Sequence, residues 1–275
     1  MLELHSETKE NLDQLMDELP QGLLLKGQLG VGLLTLAKEI AGKNLRNIVY
    51  PTDKEGNFLT DRSGEIRISQ IRELILQTRG KSLSRQIIII DNADKMNRQA
   101  QNSFLKLLEE PTINTHFILT AHDTQLLLPT ITSRVQSLIV NPISSQQTTK
   151  LIFALGETNS QRIKQLLFLA EGRAAEITRL INDPVHFERQ VAAVGDARQF
   201  LGGSLTERIE IAQKYHSDRP GALLMLELAL QILKKTTNAR PNKSTIQSAD
   251  QVATVYERIM LNGNVRLQLL SYVVQ

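Results

Sequence analysis

Four consecutive isoleucines, Ile87-Ile88-Ile89-Ile90, run directly into Asp91 and constrain this chain more than any other feature. In an extended strand successive side chains point to opposite faces. A run without a polar residue therefore has to be covered on both faces, as an inner strand of a parallel sheet is. Shorter apolar runs of the same kind occur at Leu23-Leu24-Leu25, Asn47-Ile48-Val49-Tyr50, Phe117-Ile118-Leu119-Thr120 and Ser137-Leu138-Ile139-Val140. Between them the period changes to that of a helix. Gly32 to Ile40 reads as one helix. A second starts near Ser69, a candidate N-cap, and places Ile71, Leu74, Ile75 and Thr78 on one face. A third, Asn97 to Glu109, carries Ala100, Phe104, Leu107 and Leu108 at helical spacing and is closed by Pro111. The polar stretch Asp53 to Gly64 reads as a loop or hairpin. Strands alternating with helices predict a parallel α/β layer built from right-handed crossovers.

After Pro142 the strand pattern stops. Ser144 to Leu155, Gln161 to Ala170 and Ala174 to Ile181 read as short helices, and a helical block fills the rest with a break at Gly202-Gly203. The predicted organisation is an α/β domain over residues 1–142, a small helical lid over 143–184 and an all-α domain over 185–275. A length of 275 residues is enough for such a division.

Composition narrows the chemistry. The chain has no cysteine, which removes disulfides, thiolate zinc sites and cysteine nucleophiles. Its 5 histidines form no ligand pair at helical spacing, so no metal is expected. Aromatics are 4% with no Trp, which argues against a stacking platform for single strands. A net charge of +3 permits an acidic partner without requiring one. The start, Met1-Leu2-Glu3-Leu4-His5, does not read as a signal peptide, and no run approaches the ~20 apolar residues of a membrane helix. A cytoplasmic location is the expectation.

The segment Gly27-Gln28-Leu29-Gly30-Val31-Gly32-Leu33-Leu34-Thr35 lies between a strand and a helix, where a phosphate-binding loop belongs. Gly27 and Gly32 fit the pattern G-x-x-x-x-G-K-[ST]. Leu33 stands at its lysine and Leu34 at its hydroxyl, and Thr35 comes one place late. The lysine would hold the β and γ phosphates and the hydroxyl Mg²⁺; leucine does neither. The loop amides retain the geometry to meet an anion, but ATP binding is not expected. Asp91 at the end of its apolar strand resembles the Walker B aspartate. The residue after it, often a water-activating glutamate, is Asn92, and an amide is a poor base.

Beyond this point the motifs become specific. Asp91-Asn92-Ala93-Asp94-Lys95-Met96-Asn97 leads to Ala100 and then to Asn102-Ser103-Phe104-Leu105-Lys106-Leu107-Leu108-Glu109-Glu110-Pro111. Phe117-Ile118-Leu119-Thr120-Ala121 and Leu126-Leu127-Leu128-Pro129-Thr130-Ile131-Thr132-Ser133-Arg134 follow in order, and Ile68-Ser69-Gln70-Ile71-Arg72-Glu73-Leu74 precedes them. These runs, over about residues 20 to 141, resemble the clamp-loader AAA+ family of bacterial DNA polymerase III, the gamma/tau/delta-prime type. The resemblance implies a P-loop-type AAA+ α/β domain, a helical lid and a C-terminal helical collar that joins subunits into a ring. Ser133-Arg134 corresponds to the family's Ser-Arg-Cys element, with Val135 at the cysteine. There the arginine acts in trans on a neighbour's ATP. Thr120 matches the polar first sensor. Gly172-Arg173-Ala174-Ala175 falls near the second, but Arg173 is not in register to serve as one. The four-cysteine zinc module of many members has no counterpart here.

Leu33, Leu34 and Asn92 beside an intact Ser133-Arg134 imply a subunit of the delta-prime kind, inactive itself and completing a neighbour's site. Its implied partners are gamma/tau and delta subunits, the sliding clamp indirectly, and primed DNA inside the assembled ring. Lys95, Arg98 and Lys106 are candidates to face that DNA; for each alone a solvated helix face is the simpler reading. Two other readings stand beside this one: an active gamma/tau-type ATPase with an unusual loop, and a non-replicative AAA+ adaptor.

Overall fold

The computed structural model describes residues 2–57, 64–78, 84–110 and 112–274. Pro111 and part of the expected loop between Asp53 and Gly64 lie outside the described residues. The chain forms two compact units, Met1–Ile181 and Asn182–Gln275.

In the first unit the order is α1 (Ser6–Asp17), β1 (Gly22–Lys26), α2 (Leu33–Ala41), β2 (Leu45–Val49), α3 (Ile68–Thr78), β3 (Gln86–Ile90), α4 (Arg98–Glu109), β4 (Thr115–Ala121), α5 (Pro129–Thr132) and β5 (Gln136–Ile139). The helices α6 (Ser145–Ala154), α7 (Ser160–Ala170) and α8 (Ala174–Asn182) follow. The five strands form one parallel sheet in the order β2-β3-β4-β1-β5. The isoleucine strand β3 lies inside it and divides its side chains as the pattern requires. Ile88 and Ile90 enter a core with α3 and α4, whereas Ile87 and Ile89 enter a core with α2. All four are at most 1% exposed. Each such side chain contributes about 1.5–3 kcal/mol by burial, before entropy is counted.

Two details differ from the sequence reading. The second strand runs Leu45–Val49 and excludes Tyr50, whose carbonyl instead accepts from Gln70 Nε2 at 2.9 Å. Ser69 lies inside the first turn of α3. The residue ahead of the helix is Arg67, whose amide donates to Gln70 Oε1 at 2.9 Å. That is the N-terminal half of a capping box supplied by a glutamine. At α4 the cap is Asn97, whose side chain accepts from the Ala100 amide at 2.8 Å. Phe104 of α4 meets Phe117 of β4 edge to face, with centroids 5.3 Å apart, and locks that helix to the sheet.

The second unit is α-helical over its described residues: α9 (Pro184–Gly202), α10 (Leu205–Lys214), α11 (Arg219–Ala239), α12 (Lys243–Met260) and α13 (Val265–Val273). Each of these helices opens on a side-chain cap, from Asp183, Ser204, Asp218, Asn242 and Asn264 in turn. Among the described residues no helix is long and apolar enough to cross a membrane.

Candidate functional site

Because the strands are parallel, every strand-to-helix loop of the sheet emerges on one edge. The glycine loop, Asp91-Asn92 and Thr120 meet there. Gly27 donates its amide to the Ala121 carbonyl at 3.4 Å, so the loop starts level with the end of β4. The Gly27 carbonyl accepts from His122 Nδ1 at 2.8 Å. Gly30 and Gly32 have φ of +87° and +104°, which L side chains rarely adopt. The turn therefore depends on glycine at both positions.

The two residues that follow Gly32 are apolar. Leu33 is 3% exposed and packs in the core beneath the loop, and Leu34 packs against the same core. Two of the loop glycines touch residues from distant parts of the chain, while Gln28 and Leu29 stay exposed. A Cβ on Gly32 would stand 2.8 Å from Leu2 Cδ2 and 3.3 Å from Ala175 Cβ. A Cβ on Gly30 would stand 2.9 Å from Glu176 Cβ, and the Glu176 amide donates to the Gly30 carbonyl at 3.0 Å. Leu2 is held in turn by its amide, which donates to Glu39 Oε1 of α2 at 2.7 Å. Arg173 lies against Gly30 but turns Nη2 back to the Leu169 carbonyl.

Asp91 and Thr120 are both buried. Thr120 Oγ1 donates to Asp91 Oδ1 at 2.8 Å and accepts from the Asn92 amide at 2.8 Å. Asn92 Nδ2 donates to Asp91 Oδ2 at 2.9 Å. Asn92 itself adopts the left-handed conformation, φ +53°, which asparagine tolerates better than most residues. Each oxygen of the Walker B-like carboxylate thus accepts a bond from a neighbouring side chain.

Ser133 and Arg134 are not part of this cluster. They follow α5 and precede β5, on the opposite edge of the sheet. The Arg134 carbonyl lies 3.5 Å from where a Cβ on Gly22 would be, at the start of β1. Gly27 is five residues further along, about 16 Å at the rise of a strand. Arg134 therefore does not belong to its own chain's loop. Its Nη1 donates to the Thr130 carbonyl at 3.0 Å and its Nη2 pairs with Glu109 Oε1 at 2.9 Å. Both side chains remain substantially exposed, 39% and 48%. Ser133 caps α5, with Oγ donating to Thr130 O at 3.2 Å. Val135 is buried against Gly22 and Leu108, which anchors the backbone beside Arg134.

Sequence reasoning missed Leu2, Glu176, His122 and Glu109. The first three act through contacts that no local pattern encodes. Glu109 leaves one trace: a carboxylate in the last turn of a helix opposes the helix dipole and calls for a cation.

Residues 37–144 match the family model described as DNA polymerase III, delta subunit. A DNA polymerase III subunit delta' from Pseudomonas aeruginosa is 33% identical over 134 residues, 47% of this chain and 40% of that protein. Replication factor C subunit 3 from Saccharomyces cerevisiae is 31% identical over 134 residues, 47% of this chain and 38% of that one. The matched stretch thus spans about two-fifths of the length of these curated relatives. Among solved structures, a gamma subunit-related protein of DNA polymerase III from Thermotoga maritima superposes with TM-score 0.59 at 19% identity, covering 96% of this chain and 97% of that one. A RuvB variant from the same organism gives 0.53 at 15%, covering 95% and 89%. The fold is that of AAA+ proteins.

Proposed function

We propose that this chain, a clamp-loader AAA+ protein, serves as a subunit of a replicative clamp loader, of the delta-prime kind. In this reading it does not turn over ATP itself and lends Arg134 to the nucleotide site of an adjacent gamma/tau-type subunit. A guanidinium placed on a transferring phosphate stabilises charge that grows in the transition state, which is the role of an arginine finger. The assembled ring, with a delta subunit, would open a sliding clamp on primed DNA.

The observation that carries the reading is the separation of the two sheet edges. Arg134 is exposed at one edge, and Leu2 and Glu176 pack against the loop that would hold the chain's own nucleotide at the other. An arginine serving its own site would have to stand beside the loop. The Asp91-Asn92-Thr120 circuit supports the inactive half of the proposal, since both carboxylate oxygens already accept bonds.

The experiment is the DNA-stimulated ATPase of a reconstituted loader carrying the chain with Arg134 or Arg134→Ala. The expected result is an inert isolated chain, a ring that still assembles with the variant, and turnover lowered at least about 10-fold. An unchanged rate in an intact ring would leave Arg134 as a surface residue paired with Glu109. Turnover by the isolated chain would favour a gamma/tau-type ATPase instead.

A further inference from the structure

We propose that Glu109 is a positioning residue for Arg134, holding its guanidinium so that the open edge faces the neighbouring site; this rests on the trans-acting reading above. A guanidinium offers five N–H donors in a planar fork. Two are engaged here, one by the Thr130 carbonyl at 3.0 Å and one by Glu109 Oε1 at 2.9 Å. These contacts occupy different Nη atoms and fix the plane of the fork. Three donors remain, Nε–H and one on each Nη, enough for a bidentate contact to a phosphate without breaking the pair.

The supports are themselves rigid. Leu108, next to Glu109, and Ile131 and Val135, on either side of the Ser133-Arg134 pair, are at most 9% exposed and lie in one core. Glu109 ends α4 and Thr130 belongs to α5, so each places its acceptor at the end of a helix packed on that core. A long arginine left free would sample many rotamers, and ordering it would have to accompany each catalytic contact. A carboxylate at the end of α4 opposes that helix's dipole, so its location is better explained by the cation it meets than by the helix it terminates.

The test uses the reconstituted loader and four forms of the chain: Arg134→Ala, Glu109→Ala, Glu109→Gln and the double alanine variant. Glu109→Ala is expected to lower kcat by roughly 2- to 5-fold, the scale of an exposed ion pair. KM for ATP and ring assembly should stay the same. Glu109→Gln keeps an acceptor at the same place and should restore most of the rate. In the Arg134→Ala background, Glu109→Ala should add nothing. If Arg134→Ala lowers the rate while Glu109→Ala leaves it unchanged, raises it, or adds to the loss in the double variant, the positioning role is overturned and the trans-acting reading survives. If Arg134→Ala itself has no effect, the reading fails and the inference with it.

Discussion

An aspartate at the end of a buried strand needs a partner for each oxygen, and in a Walker B site a hydrated Mg²⁺ supplies one. Here Asn92 supplies it from the adjacent position, and Thr120 supplies the other. The threonine does double duty, because its hydroxyl also accepts from the amide of Asn92, the second residue beyond β3. Thr120 is thus part of a hydrogen-bonded circuit with Asp91 and Asn92. Thr120→Val keeps the shape and removes both bonds, one to the buried Asp91 carboxylate and one from the buried Asn92 amide. The expected loss is about 2–4 kcal/mol of stability, read from urea unfolding of the α/β unit. A loss below ~0.5 kcal/mol would mean that the site relaxes and that the circuit is not what holds Asp91.

At the scale of elements, most of the sheet was readable because its strands are apolar on both faces and its helices periodic. The isoleucine strand could be nothing but internal, and the structure divides its side chains between two cores. Strand ends were less readable: Tyr50 looks like strand, yet its carbonyl is taken by Gln70 from α3. The burial of Leu33 was legible, since an apolar residue after a strand-to-helix turn belongs in the core. What packs against the loop was not legible, because Leu2 and Glu176 reach it from 30 residues before and 144 residues after Gly32. Motif repair should therefore fail. Leu33 sits in the core, so Leu33→Lys with Leu34→Thr buries an ammonium stem instead of presenting it to phosphate. We expect this double variant to lose about 2–4 kcal/mol of stability and to gain no binding of a fluorescent ATP analogue by anisotropy. Adding Leu2→Gly should not make binding tight, because the Glu176 amide still closes on Gly30. Micromolar binding by the double variant would show that the two leucines alone keep nucleotide out.

At the scale of the whole chain, the sheet separates two kinds of surface. One edge carries the loop, Asp91 and Thr120, with Leu2 and Glu176 packed against the loop glycines; the other carries an exposed arginine held by Thr130 and Glu109. In the proposed role the chain responds to nucleotide only through its neighbours, and that has a consequence for the protein in isolation. A ligand that binds only the folded state stabilises it by RT ln(1 + [L]/Kd), about 2.7 kcal/mol at a hundredfold excess over Kd. For a chain of this size that raises Tm by roughly 5 °C or more. Millimolar ATP with Mg²⁺ is a large excess for any working AAA+ site. The isolated chain should therefore melt within about 1 °C of its nucleotide-free Tm. The general salt effect is removed by comparing ATP with sodium chloride at equal ionic strength. A shift of several degrees specific to ATP would place a nucleotide in this chain. It would require Leu2 and Glu176 to move off the loop glycines, and it would move the active gamma/tau-type reading ahead of the inactive one.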